Sequence, residues 1–439
     1  MSQRDRDGAS KAASRAAAYA LAVLTFINLF NYLDRWVLSA VLEPIKADLH
    51  FSDTQLGSLA TGFIIVYMLT SPVFGTLGDR QRRPPLIALG VAIWSIATAA
   101  AGFARGFASL FTARATVGIG EAAYGTIAPA LLSDHFPLEK RGRVFAVFFA
   151  AIPIGSAAGF MVGGLVAKDF GWRAAFWVAG APGLLLALLV MFVRDVPRGL
   201  HDGGAGSGEQ GAGSTEQGGA SQVPAPTSQL PPPTSILQSY LRLFENRQYL
   251  LTCIGYAMWT FALGGLGVWT PAFMQRVRGM SLKDSTLTFG EIVLITGFVG
   301  TFAGGWLSDY FLKYTKESYL WLCGITSLLA APLTLIAFNH PNKSVWLPAM
   351  VAAEVLVFAS TGPVNSAIVN LVAPGQRATA LALSILLMHL LGDVPSPPLI
   401  GYLSDISSLQ RAFLVVPVAI FAGGVIWSYA AWRGTRVPA

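Results

Sequence analysis

The sequence predicts an all-α integral membrane protein with twelve transmembrane helices, arranged as two pseudo-symmetric six-helix bundles. Three observations carry this reading: the composition, the number of apolar segments, and landmarks that recur in the second half of the chain. Of 439 residues, 54% are hydrophobic and only 12% are charged, whereas a soluble domain carries about 25% charged residues. No soluble core needs that much apolar surface, and the mean hydropathy of +0.56 points to a bilayer as the solvent.

A membrane-crossing helix needs about 20 mostly apolar residues. Twelve such segments fall at 18–46, 53–78, 84–104, 108–135, 141–168, 172–194, 247–275, 286–312, 318–339, 344–372, 376–404 and 410–432. The polar, basic stretch 1–17 leads into a full-length span with no small-residue cleavage site, so no cleavable signal is expected. Placing the N-terminus in the cytoplasm puts nineteen of the 30 lysines and arginines in inner loops and nine in outer ones, leaving Arg35 and Arg114 within spans. That bias predicts two cytoplasmic termini, and it accounts for the pI near 9.5 through topology and anionic-lipid contact rather than nucleic-acid binding. Cys253 and Cys323 both lie in apolar segments and read as core residues. The five histidines form no metal-ligand spacing, and neither a metal nor a cofactor is expected.

Residues 199–233 are Gly/Ser-rich and then Pro-rich, too poor in apolar surface to offset the entropy of ordering, and are expected to be disordered. An amphipathic stretch, Ile236–Phe244, follows along the membrane surface. The domains expected are 1–198, a first six-helix bundle; 199–245, a cytoplasmic linker; and 246–439, a second bundle. A duplication supports the division. GTLGDR (Gly75–Arg80) ends span two and GGWLSD (Gly304–Asp309) ends span eight, with Asp79 and Asp309 230 positions apart. Arg141 opening span five and Arg377 opening span eleven are 236 apart. Parallel repeats of this kind place a binding site near the midplane between halves.

Four groups of residues stand out. Gly75, Gly78, Asp79 and Arg80 with Asp309 form a candidate gating loop: the glycines allow close helix approach and Asp79 can pair with a neighbouring helix N-terminus. In span four, Arg114, Gly118, Glu121 and Gly125 share one helical face. An Arg and a Glu within hydrocarbon must face a cavity or each other; a purely structural ion pair is the alternative. Span one carries Asn28, Tyr32, Arg35 and Ser39 as a stripe, with Asn31 and Asp34 beside it. Measured from the outer face, Asp34 and Glu121 both lie about 18–20 Å deep by helical rise. In span ten, Glu354, Thr361 and Asn365 share a face, and Glu354 follows Glu121 by 233 positions, which makes it the expected pseudo-symmetric counterpart. His389 and Asp393 are an i,i+4 pair ahead of Pro395, Pro397 and Pro398, which are expected to break span eleven. Gly264, Gly265 and Gly267, between Trp259 and Trp269, suggest a flexible cavity-lining helix.

Taken together, FNYLDR (Phe30–Arg35), Pro72–Arg80, Val117–Pro129 and AIPIGS (Ala151–Ser156) resemble the spinster family of lipid transporters within the major facilitator superfamily, closely over roughly residues 26–200 and diffusely beyond. The resemblance implies the major facilitator fold, no enzymatic activity, and a substrate of lysophospholipid or sphingoid-phosphate type carried by alternating access. It implies that Asp34, Arg35, Arg114 and Glu121 are the functional polar residues, while the compact loops and Ala-rich spans suggest a bacterial inner-membrane member. The residues then divide into proton-coupling Asp34 and Glu121 and substrate-binding Arg35, Arg114, Glu121, Tyr32, Trp259, Glu354 and Asn365. The expected partners are the amphiphile, protons and membrane lipids, with the chain a monomer. An uncoupled or sodium-linked facilitator of another organic anion or drug remains an alternative. A channel is disfavoured because no filter sequence is present, a lipid enzyme because no nucleophile accompanies His389 and Asp393, and ATP-driven transport because no phosphate-binding loop is present.

Overall fold

The computed structural model describes residues 3–200, 236–372 and 376–435. Of the stretch 199–233 that is expected to be disordered, 201–233 lies outside the described residues, as does part of the loop before Arg377; Gly199 N donates to Asp134 Oδ1 at 3.0 Å. The first half comprises α1 (Gln3–Ala40), α2 (Leu42–Leu49), α3 (Asp53–Arg80), α4 (Arg83–Ala101), α5 (Phe107–His135), α6 (Leu138–Phe170) and α7 (Trp172–Val190). The amphipathic stretch is helical, as α8 (Ile236–Glu245). The second half comprises α9 (Arg247–Arg276), α10 (Leu282–Phe311), α11 (Ser318–Asn339), α12 (Lys343–Phe358), α13 (Thr361–Asn370), α14 (Arg377–Met388), α15 (Ser396–Ile406), α16 (Leu409–Ala412) and α17 (Val415–Gly434). Spans one to six are α1 and α3–α7. Spans seven to nine are α9–α11, span ten is α12 with α13, span eleven is α14 with α15, and span twelve is α16 with α17.

Among the described residues, eleven of the twelve spans are long and apolar enough to cross a membrane. The remaining one, α5, falls short in apolarity because it carries Arg114 and Glu121 within its length. Three boundaries differ from the sequence reading. Span one stops at Ala40, and a separate short helix α2 follows where one segment to 46 was expected. Span ten is interrupted between Phe358 and Thr361. Span eleven is interrupted at its prolines, as expected, but the interruption begins a turn earlier: a π turn, His389–Asp393, and a turn at Val394–Pro395 separate α14 from α15, and Pro397 sits in the first turn of α15, where a missing N–H is harmless.

Backbones approach closely where glycine allows it. A Cβ on Gly120 would lie 2.3 Å from the Gly90 carbonyl oxygen, and on Gly155 2.4 Å from that of Leu29; these crossings weld α4 to α5 and α6 to α1. The halves meet along two seams, α3 with α15 and α6 with α10. Under the duplication, span two corresponds to eight and span eleven to five, so the two seams are one pseudo-symmetric contact used twice.

Both seams lie toward the end of the bundle opposite the start of α1 and the finish of α17; we call this the far end and the other the termini end. At the far end a Cβ on Gly57 would sit 2.3 Å from the Pro397 carbonyl oxygen, and on Gly401 2.3 Å from that of Asp53. At the termini end the halves part. Helix α14 packs on α9, α13 and α8 of its own half, and Gly75, Gly142, Gly305 and Gly362 have nothing within 4 Å of an added Cβ.

Candidate functional site

The sequence-predicted charges of the first half converge. Helices α1, α4 and α5 bring Asp34, Thr98 and Arg114 together: the Thr98 hydroxyl donates to Asp34 Oδ2 at 2.5 Å, and Arg114 Nη1 lies 3.5 Å from Asp34 Oδ1. Two turns toward the termini end on α5, Glu121 Oε2 accepts from Arg35 Nη2 at 2.6 Å. Asp34, Arg114 and Glu121 are each 1% exposed, whereas the Arg35 side chain is 26% exposed. Arg35 is the member of the cluster that faces open space. Its guanidinium lies 5.0 Å from the ring centres of Tyr32 and Phe63 and 5.6 Å from that of Tyr67; Phe63 also faces Arg114, at 5.7 Å. Such cation–aromatic contacts strengthen once water is excluded.

Several polar atoms of this cluster are buried with no hydrogen-bond partner among the described residues: Glu121 Oε1, Arg35 Nε, Arg114 Nε and Asn31 Nδ2. Leaving such groups unpaired is costly, about 1–3 kcal/mol each and more for charged ones. A wall with two cations, two carboxylates and spare donors is built for polar chemistry rather than for packing alone. Asn28 instead serves structure, donating to the Phe148 carbonyl at 2.9 Å.

The second half contributes less than the sequence suggested. Glu354 is buried on α12 with Thr296 of α10 at 3.2 Å, away from the first-half charges. Asn365 donates to the Thr361 carbonyl of its own helix at 2.9 Å, so it is spent locally on α13. Trp259 is a correction: its indole N–H is held by the Val357 carbonyl at 2.9 Å and the ring is buried, so it packs the bundle instead of lining a cavity. The glycines of α9 are corrected likewise. Gly264 abuts Asp393 and Ser396, and Gly267 abuts the Trp36 ring, so they are contact points rather than sources of flexibility. His389 Nδ1 and Asp393 Oδ1 do pair, at 2.9 Å across the π turn.

The far end holds a latch that the sequence reading did not single out. Arg276 of α9 grips Asp53 of α3 through two bonds of 2.6 and 2.8 Å and also binds Glu43 at 2.6 Å, while Lys46 and Ser404 complete the shell of Asp53 at 2.6 Å each. Asp405 of α15 accepts the first backbone N–H groups of α3, Asp53 N at 2.8 Å and Thr54 N at 2.9 Å. One half therefore caps a helix of the other. In the sequence Arg276 and Lys46 registered only as loop charges; the capping box Ser52–Gln55 was the available signal that α3 begins there.

Comparison with known proteins fits this architecture. A model described as Major Facilitator Superfamily matches residues 24–394. Protein spinster homolog 3 of Danio rerio is 33% identical over 410 residues, covering 89% of this chain and 77% of that protein. The chain belongs to the spinster family. Protein spinster of Drosophila melanogaster is 32% identical, and the match covers 89% of this chain but 62% of that protein's length. The sphingosine-1-phosphate transporter SPNS2 of Xenopus tropicalis is 31% identical, covering 94% and 81%. A crystal structure of a bacterial homolog of human lysosomal Spinster, inward-facing and unoccupied, superposes with a TM-score of 0.77 at 24% identity, covering 95% of this chain and 96% of that one. A D-xylose–proton symporter reaches a TM-score of 0.70 at 16% identity; both structural matches speak to the fold. The chain is thus an integral membrane transporter of the major facilitator superfamily and not an enzyme.

In this spinster protein the loop after span two is more than a topological signal. Arg83 is buried, binding Asp195 at 2.9 Å, Asp134 at 2.5 Å and the Val196 carbonyl. Arg198 donates to the Gly78 and Gln81 carbonyls, both at 2.7 Å, and so caps the end of α3. Around it lies a cavity of about 180 Å³ lined by Gly75, Gly78, Asp79, Asp134 and Arg198 among others. Gly78 makes the expected close approach, to Ile127, but Gly75 faces open space. Asp79 and Arg80 are exposed, with no ion pair to either among the described residues, while Asp309 accepts from the Tyr319 hydroxyl at 2.9 Å.

Proposed function

We propose that this protein moves a lysophospholipid or sphingoid-phosphate amphiphile across the bacterial inner membrane by alternating access, as a monomer with both termini in the cytoplasm, and that protons drive it through Asp34 and Glu121. The observation that carries the reading is the charge balance of the cluster: two arginines against two carboxylates, with Arg35 the exposed one of the four. With both carboxylates ionised the cluster is neutral and holds an anion weakly. Protonating one releases an arginine from its partner and leaves a net positive site for a phosphate head, so a proton and an anionic amphiphile are taken up together. Tyr32 and Tyr67 flank the place where the head would sit, and Arg114 holds Asp34 in reach. The transport of sphingosine-1-phosphate by a relative, and the basic bias of the termini-end loops, support the substrate class and the orientation. In that orientation the protein is open to the cytoplasm.

Uptake of sphingosine-1-phosphate and of lysophosphatidylcholine into proteoliposomes tests this, with an imposed pH gradient, a sodium gradient or neither. Accumulation of one of them under the pH gradient alone is expected. Accumulation under sodium alone would replace the proton with sodium, and uptake indifferent to both gradients would leave a facilitator.

Two further outcomes are expected. Residues 203–230 are Gly-, Ser- and Pro-rich, so deleting them should leave the transport rate within about twofold of wild type, since a linker of that composition sets reach and not packing. Loss of all uptake in normally inserted protein would contradict this. Asp79→Asn should favour the cytoplasm-open state. The carboxylate is exposed here and would pair with the start of α14 only when that side closes, a charge–dipole contact of about 0.3–2 kcal/mol. Cysteine labelling of the cytoplasmic vestibule should rise in this variant; unchanged or reduced labelling would remove Asp79 from the gate.

A further inference from the structure

Glu354 lies inside the second half, 4% exposed, on the face of α12 that packs on α9, α10 and α11. Among the described residues no ion pair reaches it and its one side-chain hydrogen-bond partner is Thr296; Thr334, nearby on α11, already gives its hydrogen to the Ala330 carbonyl. The hydrogen-bond arithmetic of that neighbour is informative. Thr296 Oγ1 lies 2.7 Å from the Ile292 carbonyl of its own helix and 3.2 Å from Glu354 Oε2. A hydroxyl has one hydrogen, and a carbonyl can only accept, so the shorter contact takes it. Thr296 can then meet Glu354 only as an acceptor, which requires the carboxyl group to carry a hydrogen. A lone carboxylate with neither cation nor donor in apolar surroundings is prohibitive, whereas a carboxylic acid donating to a hydroxyl is not. A cavity of about 10 Å³ lies against the group, bordered by Leu266, Thr334, Phe338 and Met350 on its far-end side, close to the space of one water.

We infer that Glu354 is a second proton-binding site, a neutral carboxylic acid in this conformation that releases its proton to water when the far end opens. On release the O–H bond breaks, the electron pair stays on the carboxylate, and the proton passes to water entering from the far-end cavity. Thr296, relieved of its acceptor role, can then turn its hydrogen toward the carboxylate. This assignment is independent of Asp34 and Glu121, which belong to the other half.

Infrared spectroscopy of the purified protein at pH 7 tests it without any substrate. A protonated-carboxyl stretch should be present in wild type, be lost in Glu354→Gln, and persist in Asp34→Asn, so failure of the Asp34 reading leaves this one standing. Thr296→Val should keep the band but move it to higher frequency, because the acid loses its acceptor; this variant also serves if Glu354→Gln misfolds. In Gly57→Leu protein, with far-end opening verified by cysteine labelling, the band should weaken at pH 7. A wild-type spectrum with no band attributable to Glu354 would overturn the proposal, as would a band of unchanged intensity in the opened variant.

Discussion

Proteoliposomes containing Asp34→Asn are expected to show no pH-gradient-driven accumulation while still exchanging or binding substrate. The amide imitates the protonated acid, keeps the hydrogen bond to Thr98, and cannot release a proton. Arg114→Ala should be worse, damaging accumulation and exchange together and lowering stability. Arg114 is 1% exposed and faces Asp34 at 3.5 Å, and stripping a buried carboxylate of its counter-charge costs about 3–5 kcal/mol. Uptake assays over a pH series with a thermal melt of each variant decide the matter. An Asp34→Asn protein with wild-type pH dependence would move the coupling group to Glu121 or Glu354.

The second large effect is expected from the far end. Gly57 and Gly401 each bring a backbone carbonyl of the opposite half within 2.3 Å of where a side chain would begin, and a carbonyl in a helix cannot step aside as a flexible side chain can. Gly57→Leu should therefore prevent the far end from closing, reduce net transport at least tenfold, and make cysteines placed near Ser58 reactive from the far side. Arg276→Ala should act in the same direction but less severely, because the latch retains the Asp405 cap on α3 and the Ser404–Asp53 hydrogen bond. Normal turnover in Gly57→Leu, with the protein correctly inserted, would show that this crossing is not required for the cycle.

The spans were legible because lipid leaves a helix few options: every backbone group must be satisfied internally and the outside must be apolar. That constraint is written in about 20 residues at a time, which is why the twelve segments and the duplication of Asp79 with Asp309 could be read directly. The first-half cluster was legible for the opposite reason. Arg35, Asp34, Arg114 and Glu121 violate the rule, and a violation within a span has to be functional or paired. What the sequence could not supply was partner choice. Nothing in the spacing says that Arg35 reaches Glu121 rather than Asp34, or that Thr98, an ordinary residue of an apolar span, holds Asp34. Trp259 was misjudged because an indole in a glycine-rich helix fits a cavity wall and a packed bundle equally well until the Val357 carbonyl is seen opposite its N–H. The latch was invisible because its members lie at helix ends 223 and 351 positions apart, where charge reads as topology.

The π turn in span eleven has a mechanical meaning of its own. The prolines that follow it strip carbonyls of their usual donors, and one of these, on Val394, is taken by the Thr61 hydroxyl of the other half at 2.6 Å. The turn also holds one residue more than an α turn would. Removing that surplus, for instance by deleting Leu390, would rotate α14 against α15 by about 100°, swinging the Gly401 face away from α3 or twisting α14 within its own bundle. Span eleven is thus indexed like a screw with one extra thread, and its length in residues is as much a condition of far-end closure as any charge in the latch.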